Sequence, residues 1–543
     1  MNKYWYKNAV IYCLDVETFK DTNNDGIGDF EGLKNALTYL SSLGVTCLWL
    51  MPFFDTPNED NGYDVRNYYE LDTRLGDLGN FTEVLDAAEE VRIRILIDLA
   101  VNHTSEKHYW FQESRKGKKN KYRDFYIWKD EKPEDDGGNM MSKDGDGGSN
   151  WKYDRKAKAW YYHTFFPHQP DLNISNPAVQ KEIFRIMHFW LKLGVSGFRM
   201  DAAPHMFTEK GQVEFGEDPH EIFRNFREFV ETQKKDAVLL AEVDLEPERY
   251  QDFFGDEDQM HMLFNFYVNN YLFLSLARGE ATPVANALKE MPQTQQKEQM
   301  AIFIRNHDEL NLDKLSEKEK EEVFEAFAPE EDMRIFGRGI RRRVASMLNN
   351  DRKRIELTYS LLFTLPGTPV LRYGQEIGMG EDLSMEGRDS VRTVMQWTSG
   401  KNGGFSGVAK KDLIRNIVSK GEFGYKKINV NDQHRDKDSL LNWMTSVIRF
   451  RKEFPEFGWG NYEVLDTGDK RVLATCRRSE KGMALALHNF SKEEVTVKLN
   501  LEEPDDIEDI FGDERYKAFN PKDQKVKLNA YGYRWLHKRR KFV

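Results

Sequence analysis

Cysteine is scarce: the 543 residues hold only Cys13, Cys47 and Cys476, far apart and with no ligand spacing. That pattern excludes a disulfide framework and a cysteine zinc site. Long hydrophobic runs are missing as well. No stretch reaches the roughly 20 apolar residues of a membrane-spanning helix. The start, Met1-Asn2-Lys3-Tyr4-Trp5-Tyr6-Lys7-Asn8, lacks the apolar region of a signal peptide. The expectation is a cytoplasmic protein with no membrane partner. Positive charge is in deficit, with 79 Lys and Arg against 91 Asp and Glu, a net charge of −12. Phosphate backbones are bound by clustered Lys and Arg, so a nucleic-acid partner is not expected. The basic stretch Lys116–Lys121 is short and reads as a solvated loop face.

What the chain does have is size and pattern. At 543 residues, 39% hydrophobic and 31% charged, it is long enough for two or three folded domains. Short apolar runs predict strands at Ala9–Cys13, Thr46–Leu50, Arg94–Leu99, Gly197–Met200, Ala237–Val243, Met260–Phe264, Met300–Ile304 and Pro369–Tyr373. Amphipathic segments between them predict helices at Phe30–Ser42, Phe81–Val91, Pro177–Leu193, His220–Thr232 and Arg352–Leu362. This is the alternation of an α/β fold, a (β/α)8 TIM barrel. One connection, from Asn102 to about Ser175, is far longer than a loop needs to be. It contains the runs Asp135-Asp136-Gly137-Gly138 and Asp144-Gly145-Asp146-Gly147-Gly148. It is expected to be a domain inserted after the third strand and to form one wall of the site. A second excursion, rich in charge, covers Ser316–Arg343. Short strands at Val472–Cys476, Met483–His488, Glu494–Leu499 and Lys525–Leu528 predict a C-terminal β-sandwich domain. The expected division is 1–102 with 176–457 for the barrel, 103–175 for the insertion and 458–543 for the C-terminal domain.

Three carboxylates close apolar stretches. Asp201 ends Gly197-Phe198-Arg199-Met200, Glu242 ends Val238-Leu239-Leu240-Ala241, and Asp308 follows Ala301-Ile302-Phe303-Ile304-Arg305-Asn306-His307. Ionised carboxylates prefer water, so three of them at the ends of buried strands need a reason. In a βα barrel, the C-terminal strand ends carry the chemistry. Two carboxyl groups flanking one bond are the equipment for glycosidic cleavage. Arg199 lies two residues before Asp201, on the same strand face, where its guanidinium favours an ionised nucleophile. Glu242 follows an apolar run, where burial favours the protonated form that a general acid needs.

Together these stretches resemble the α-amylase superfamily, glycoside hydrolase family 13, over nearly the whole chain. The matching motifs are Asp98-Leu99-Ala100-Val101-Asn102-His103, Gln169-Pro170-Asp171-Leu172-Asn173, Gly197-Phe198-Arg199-Met200-Asp201, Glu242 and Asn306-His307-Asp308. The resemblance implies Asp201 as nucleophile and Glu242 as acid/base. It implies Asp308 as the residue that grips sugar hydroxyls, with His103 and His307 assisting. Asp60-Asn61-Gly62-Tyr63-Asp64 follows the second strand; Tyr63 can stack on a sugar and Asp60 can accept from its hydroxyls. In exo-acting members a similar Asp pairs with the Arg of an Arg-Thr-Pro-Met-Gln-Trp motif. That motif stands here as Arg392-Thr393-Val394-Met395-Gln396-Trp397, so an Asp60–Arg392 clamp is expected at the blind end of a pocket. The expected substrate-binding set is Asp60, Tyr63, His103, Phe166, Arg199, His307 and Arg392.

Asp21-Thr22-Asn23-Asn24-Asp25-Gly26-Ile27-Gly28-Asp29 alternates oxygen ligands as calcium loops do. It is not an EF-hand, whose twelfth position would be Glu where this chain has Gly32. It resembles the calcium loop of family 13 oligosaccharide enzymes, which implies a structural Ca2+ on Asp21, Asn23, Asp25, the Ile27 carbonyl and Asp29. No organic cofactor is implied. Within the family the resemblance is to the trehalose-synthase branch, which interconverts maltose and trehalose. Arg305–Leu310, Gly339–Arg343, Asn350-Asp351-Arg352, Leu365–Val370, Gly378-Met379-Gly380 and Gly403–Ser406 carry it. Leu371-Arg372-Tyr373-Gly374-Gln375-Glu376 departs from the common Tyr-Tyr-Gly-Asp-Glu pattern. The expected partners are small α-glucosides such as maltose, trehalose or related oligosaccharides, and a homo-oligomer stays open. The alternatives are a hydrolytic α-glucosidase or small-oligosaccharide amylase, and a non-catalytic carbohydrate-binding or partner protein.

Overall fold

Strands buried on both faces must be apolar along their length, and eight short apolar runs meet that condition. In the computed structural model, which describes residues 3–133, 139, 141, 148–206, 218 and 220–539, they form β1 (Ile11–Leu14), β2 (Cys47–Leu50), β3 (Arg94–Leu99), β4 (Gly197–Met200), β5 (Val238–Ala241), β6 (Met262–Phe264), β7 (Gln299–Phe303) and β8 (Thr368–Arg372). Every neighbour pairs in parallel, and β8 pairs with β1 to close the barrel. Each expected strand is present, within two residues at either end.

Helices wrap the barrel: α1 (Phe30–Leu43), α2 (Leu78–Glu90), α3 (Pro177–Leu193), α4 (Glu221–Gln233), α5 (Phe266–Arg278), α6 (Thr282–Glu290), α7 (Glu317–Phe327), α8 (Arg352–Thr364) and α9 (Leu440–Glu453). Local chemistry fixes their ends. The Asp29 side chain caps α1 by accepting from Gly32 N, and Gly44 stops it at φ 100°, a left-handed position that a side chain would strain. Asn176 caps α3, which opens on Pro177.

Between β3 and α3 the chain builds a short helix, Tyr109–Ser114, and a three-stranded sheet of residues 128–129, 159–162 and 151–154. Bridges His103–Asp171 and Tyr126–Leu172 draw the two ends of this segment together. The runs Asp135–Gly138 and Asp144–Gly147 lie outside the described residues. After β7, a small sheet of residues 310–311, 339–340 and 334–335 accompanies α7.

Seven strands follow the barrel: β9 (Asn461–Leu465), β10 (Val472–Arg478), β11 (Gly482–Asn489), β12 (Val495–Lys498), β13 (Glu508–Gly512), β14 (Lys525–Leu528) and β15 (Tyr533–Arg539). β9-β10-β11-β15-β13 form one antiparallel sheet and β12-β14 another. Val472, Leu485, Leu487, Val497, Val526 and Leu536 fill the space between them, which makes a sandwich. The opposite face of the larger sheet packs on the barrel. Trp535 Nε1 donates to Ser360 Oγ at 2.8 Å and Tyr533 OH donates to Glu356 at 2.9 Å, both on α8.

Candidate active site

The C-terminal ends of β3, β4, β5 and β7 bring Asp98, Asp201, Glu242 and Asp308 to one end of the barrel. A single guanidinium organises three of them. Arg199, on β4 and 1% exposed, donates from Nη1 to Asp98 Oδ1 at 2.8 Å and to Asp201 Oδ1 at 2.5 Å, and from Nη2 to Glu242 Oε2 at 2.6 Å. The two nitrogens of one planar group therefore hold Asp201 and Glu242 side by side. The next residue, Ala202, turns through φ 48°, an uncommon conformation for a residue with a side chain. Its N–H thereby reaches Glu242 Oε2 at 3.3 Å.

Burial and charge then divide the carboxylates. Burial pushes the Glu242 carboxyl up to about 8, with Arg199 opposing and Asp201 and Asp308 adding to the rise. That shift favours the protonated form that a general acid needs. Burial alone would raise Asp308 too, but the Arg388 and Arg392 guanidiniums overcome it and hold that carboxyl well below the usual range. Arg392 Nη2 donates to Asp308 Oδ1 at 2.8 Å, Arg388 Nη1 lies 3.1 Å from the same oxygen, and Arg392 Nε donates to His307 O at 2.9 Å. Burial keeps His307 neutral, well below its ordinary value. Its ring lies parallel to Tyr63, with Nε2 2.9 Å from the Tyr63 hydroxyl, and that hydroxyl donates to Asp98 Oδ2 at 3.1 Å.

These groups surround a cavity of about 340 Å3, the size of a small-ligand site. Asp60, Tyr63, His103, Phe166, Asp201, Glu242 and Asp308 all line it. His103 is buried, with Phe165 edge-on to its ring at 5.4 Å. Phe166 stacks on His168. Arg199 and His307 lie directly behind the lining side chains that they bond.

The expected Asp60–Arg392 clamp is not formed. Arg392 is committed to Asp308 and the His307 carbonyl, and Asp60 instead accepts from Gln169 Nε2 at 2.8 Å. The cation with the largest effect on Asp60 is Arg388, which lines the cavity and donates from Nε to Glu309 at 2.6 Å. Burial raises the Asp60 carboxyl to about 7 against that pull. Sequence reading missed Arg388. Its only signal was a second Arg in Gly387-Arg388-Asp389-Ser390-Val391-Arg392, one turn ahead of the residue that the motif singled out.

The Asp21–Asp29 loop lies apart, between β1 and α1. Asp21 accepts from Asn24 N (2.7 Å) and Gly26 N (2.9 Å), Asp25 from Ile27 N (2.8 Å), and Asp29 from Thr22 N (2.8 Å) and Gly32 N (2.7 Å). Among the described residues no trio of His, Cys, Asp and Glu side chains is gathered for a metal. The candidate ligands are nonetheless all oxygen, and Asp21 and Asp29 are buried. That donor set fits a hard cation such as calcium.

Among the described residues no helix is long and apolar enough to cross a membrane. The sequence profile described as "Alpha amylase, catalytic domain" matches residues 13–328 and 335–460, and that of "Sucrose hydrolase-like, C-terminal domain" matches residues 482–537. The chain is 42% identical over 505 residues to a trehalose synthase from Thermus thermophilus, covering 92% of this chain and 52% of that protein, so it spans about half the length of that relative. It is 39% identical over 513 residues to the trehalose synthase/amylase of Mycolicibacterium smegmatis, covering 92% of this chain and 86% of that one. Among solved structures, an α-amylase from H. orenii superposes with a TM-score of 0.79 at 27% identity, covering 99% of this chain and all of that one.

Proposed function

We propose, for a chain that belongs to the α-amylase family, glycoside hydrolase family 13, that its cavity isomerises maltose and trehalose through a glucosyl–enzyme intermediate on Asp201. The observation that carries this reading is the Arg199 fork, which holds Asp201 and Glu242 together at a sugar-sized cavity. Asp201 Oδ attacks C1 of the terminal glucosyl unit while Glu242 gives its proton to the departing glycosidic oxygen. Asp308, ionised and held by two guanidiniums, accepts from hydroxyls of the same ring. Glu242, now a carboxylate, takes a proton from the hydroxyl that attacks C1 from the vacated side, and the α configuration is retained. Attack by the 1-hydroxyl of the released glucose gives trehalose, attack by its 4-hydroxyl returns maltose, and attack by water gives glucose. Asp60, Tyr63, His103 and Phe166 would bind the sugar, and residues 103–175 would supply a wall of the pocket, since His103, Phe165 and Phe166 belong to that segment.

Asp21, Asn23, Asp25, the Ile27 carbonyl and Asp29 would hold a structural Ca2+, whose charge would balance carboxylates that otherwise face only neutral donors. Incubating the protein with maltose and resolving the sugars by NMR tests the reaction. Trehalose accumulating ahead of free glucose supports isomerisation. Glucose alone assigns the same site to the hydrolytic alternative.

A further inference from the structure

Asp60 and Arg392 do not meet, but the two turns that carry them are joined through their neighbours, by Arg415. That residue lies between the Arg392 motif and α9. Hydrogen bonds on either side fix its backbone. Ile414 N donates to Gly26 O at 2.9 Å, and Asn416 O accepts from Val394 N at 3.2 Å. The Arg415 side chain is 14% exposed, and its guanidinium meets three other stretches of chain. Nη2 donates to Asn61 Oδ1 and lies 3.5 Å from Glu17 Oε1, while Nε lies 3.3 Å from Asp389 Oδ2.

Two of those partners adjoin residues that line the cavity. Asn61 follows Asp60 in a turn that moves as a unit. The fully buried Asp64 carboxylate accepts from Asp60 N at 3.1 Å and Glu59 N at 3.0 Å, and Tyr63 N donates to Asp60 O at 2.9 Å. Asn61 sits at φ 48° and Gly62 at φ 90°. A Cβ on Gly62 would lie 2.9 Å from Pro52 O, so the turn is pressed against the chain that leaves β2. Asp389 stands between Arg388 and Arg392, and Arg392 N donates to its carbonyl at 2.9 Å. A displacement at Asn61 is therefore carried to Asp60 and Tyr63, and one at Asp389 to the two arginines. Arg392 has further anchors of its own in Asp308 and the His307 carbonyl, and Arg388 has Glu309. When the connection is cut, it is the Asp60 side that shifts.

We propose that Arg415 is a positioning residue for the glucosyl-binding end of the pocket, holding the Asp60–Tyr63 turn against the Arg388–Arg392 turn through Asn61 and Asp389. The inference rests on the reading of that cavity as a glucoside site. A planar guanidinium suits the task, because its nitrogens point in fixed directions and each contact constrains the other. The catalytic carboxylates have a separate scaffold, since Arg199 holds Asp201 and Glu242 while Arg392 holds Asp308. Loss of Arg415 should therefore weaken capture of the glucosyl ring more than it slows the chemistry.

Steady-state kinetics on maltose test this. Calorimetric titration with deoxynojirimycin, a basic analogue of the glucosyl ring, gives a readout independent of turnover. Arg415→Met should raise KM and the inhibitor Kd about tenfold, with kcat within about threefold of the unaltered protein. Asn61→Ala should raise both constants by a similar factor. Adding it to Arg415→Met should cost little more, because the two changes cut the same connection. Arg415→Lys, which can keep one contact, should fall between. Should Arg415→Met fail to fold, Asn61→Ala and Asp389→Asn decide, each expected to raise both constants. A folded Arg415→Met with KM and Kd unchanged would overturn the proposal, whether kcat is kept or lost, and so would unchanged constants in both of the other variants. Unaltered protein that neither turns over maltose nor binds the inhibitor would strike the functional reading and this inference together. Turnover or binding in the unaltered protein that Arg415→Met leaves intact strikes the inference alone.

Discussion

Arg199 sets the chemistry of its neighbours, because one buried guanidinium serves Asp98, Asp201 and Glu242 together. Asp201→Asn should remove nearly all turnover, by several orders of magnitude, with an unchanged circular dichroism spectrum, because no neighbour can replace a nucleophile. Glu242 must carry its proton to work as an acid, and its raised value of about 8 places an alkaline limb in kcat/KM near that pH. A profile flat to about pH 10 would contradict this. The same shift has a stability consequence. The folded state keeps the Glu242 proton up to about pH 8, whereas an unfolded Glu releases it near about 4.3. The folded state therefore binds more protons across that window, and stability falls as pH rises through it. Glu242→Gln should then melt above the unaltered protein at about pH 9 and equal to it at about pH 4. Arg392 holds Asp308 and the His307 carbonyl through separate nitrogens, so Arg392→Lys, which has one point charge, should cost about 10–100-fold in kcat/KM. The three carboxylates were legible in the sequence because each closes an apolar run. The partner of Arg392 was not, because Arg388 and Arg392 lie one turn apart and only three-dimensional packing decides which faces Asp60.

Barrel strands were legible as elements because burial on both faces leaves an unbroken apolar run with turn residues at its ends. α5 was not, since Phe266, Val268, Leu272, Phe273 and Leu276 are all buried and its apolar residues run nearly all round, which hides the helical period. β9 and β13 escaped for the opposite reason: Asn461–Leu465 and Glu508–Gly512 are partly exposed, polar edge strands of their sheet. The Asp21–Asp29 loop shows how far an element can be read without its ligand. Its side chains take the backbone donors of the turn, and Asp29 also caps α1. Chelation by EGTA should lower Tm, added calcium should restore it, and the rate of the chemical step at a temperature well below melting should not change. A Tm unmoved by both would remove calcium from the account.

For the molecule as a whole, barrel, insertion and sandwich divide the work by position. The carboxylates stand at the C-terminal strand ends, His103, Phe165 and Phe166 line the cavity beside them, and the sandwich packs on α8. The order of elements made the barrel and the C-terminal sheets readable from patterning alone. The actual partners of Asp60 and Arg392 were not readable, because each depends on contacts between segments far apart in the chain. Everything proposed for the reaction rests on one covalent event at Asp201, and that event can be caught. Glu242→Gln slows release of the glucosyl unit, so the variant treated with an α-glucosyl fluoride should accumulate it on the enzyme. Peptide mass mapping of that protein is the most direct measurement. The account predicts a single added hexosyl mass on the peptide containing Asp201, absent from Asp201→Asn. No adduct under turnover conditions, or an adduct on another carboxylate, would contradict it.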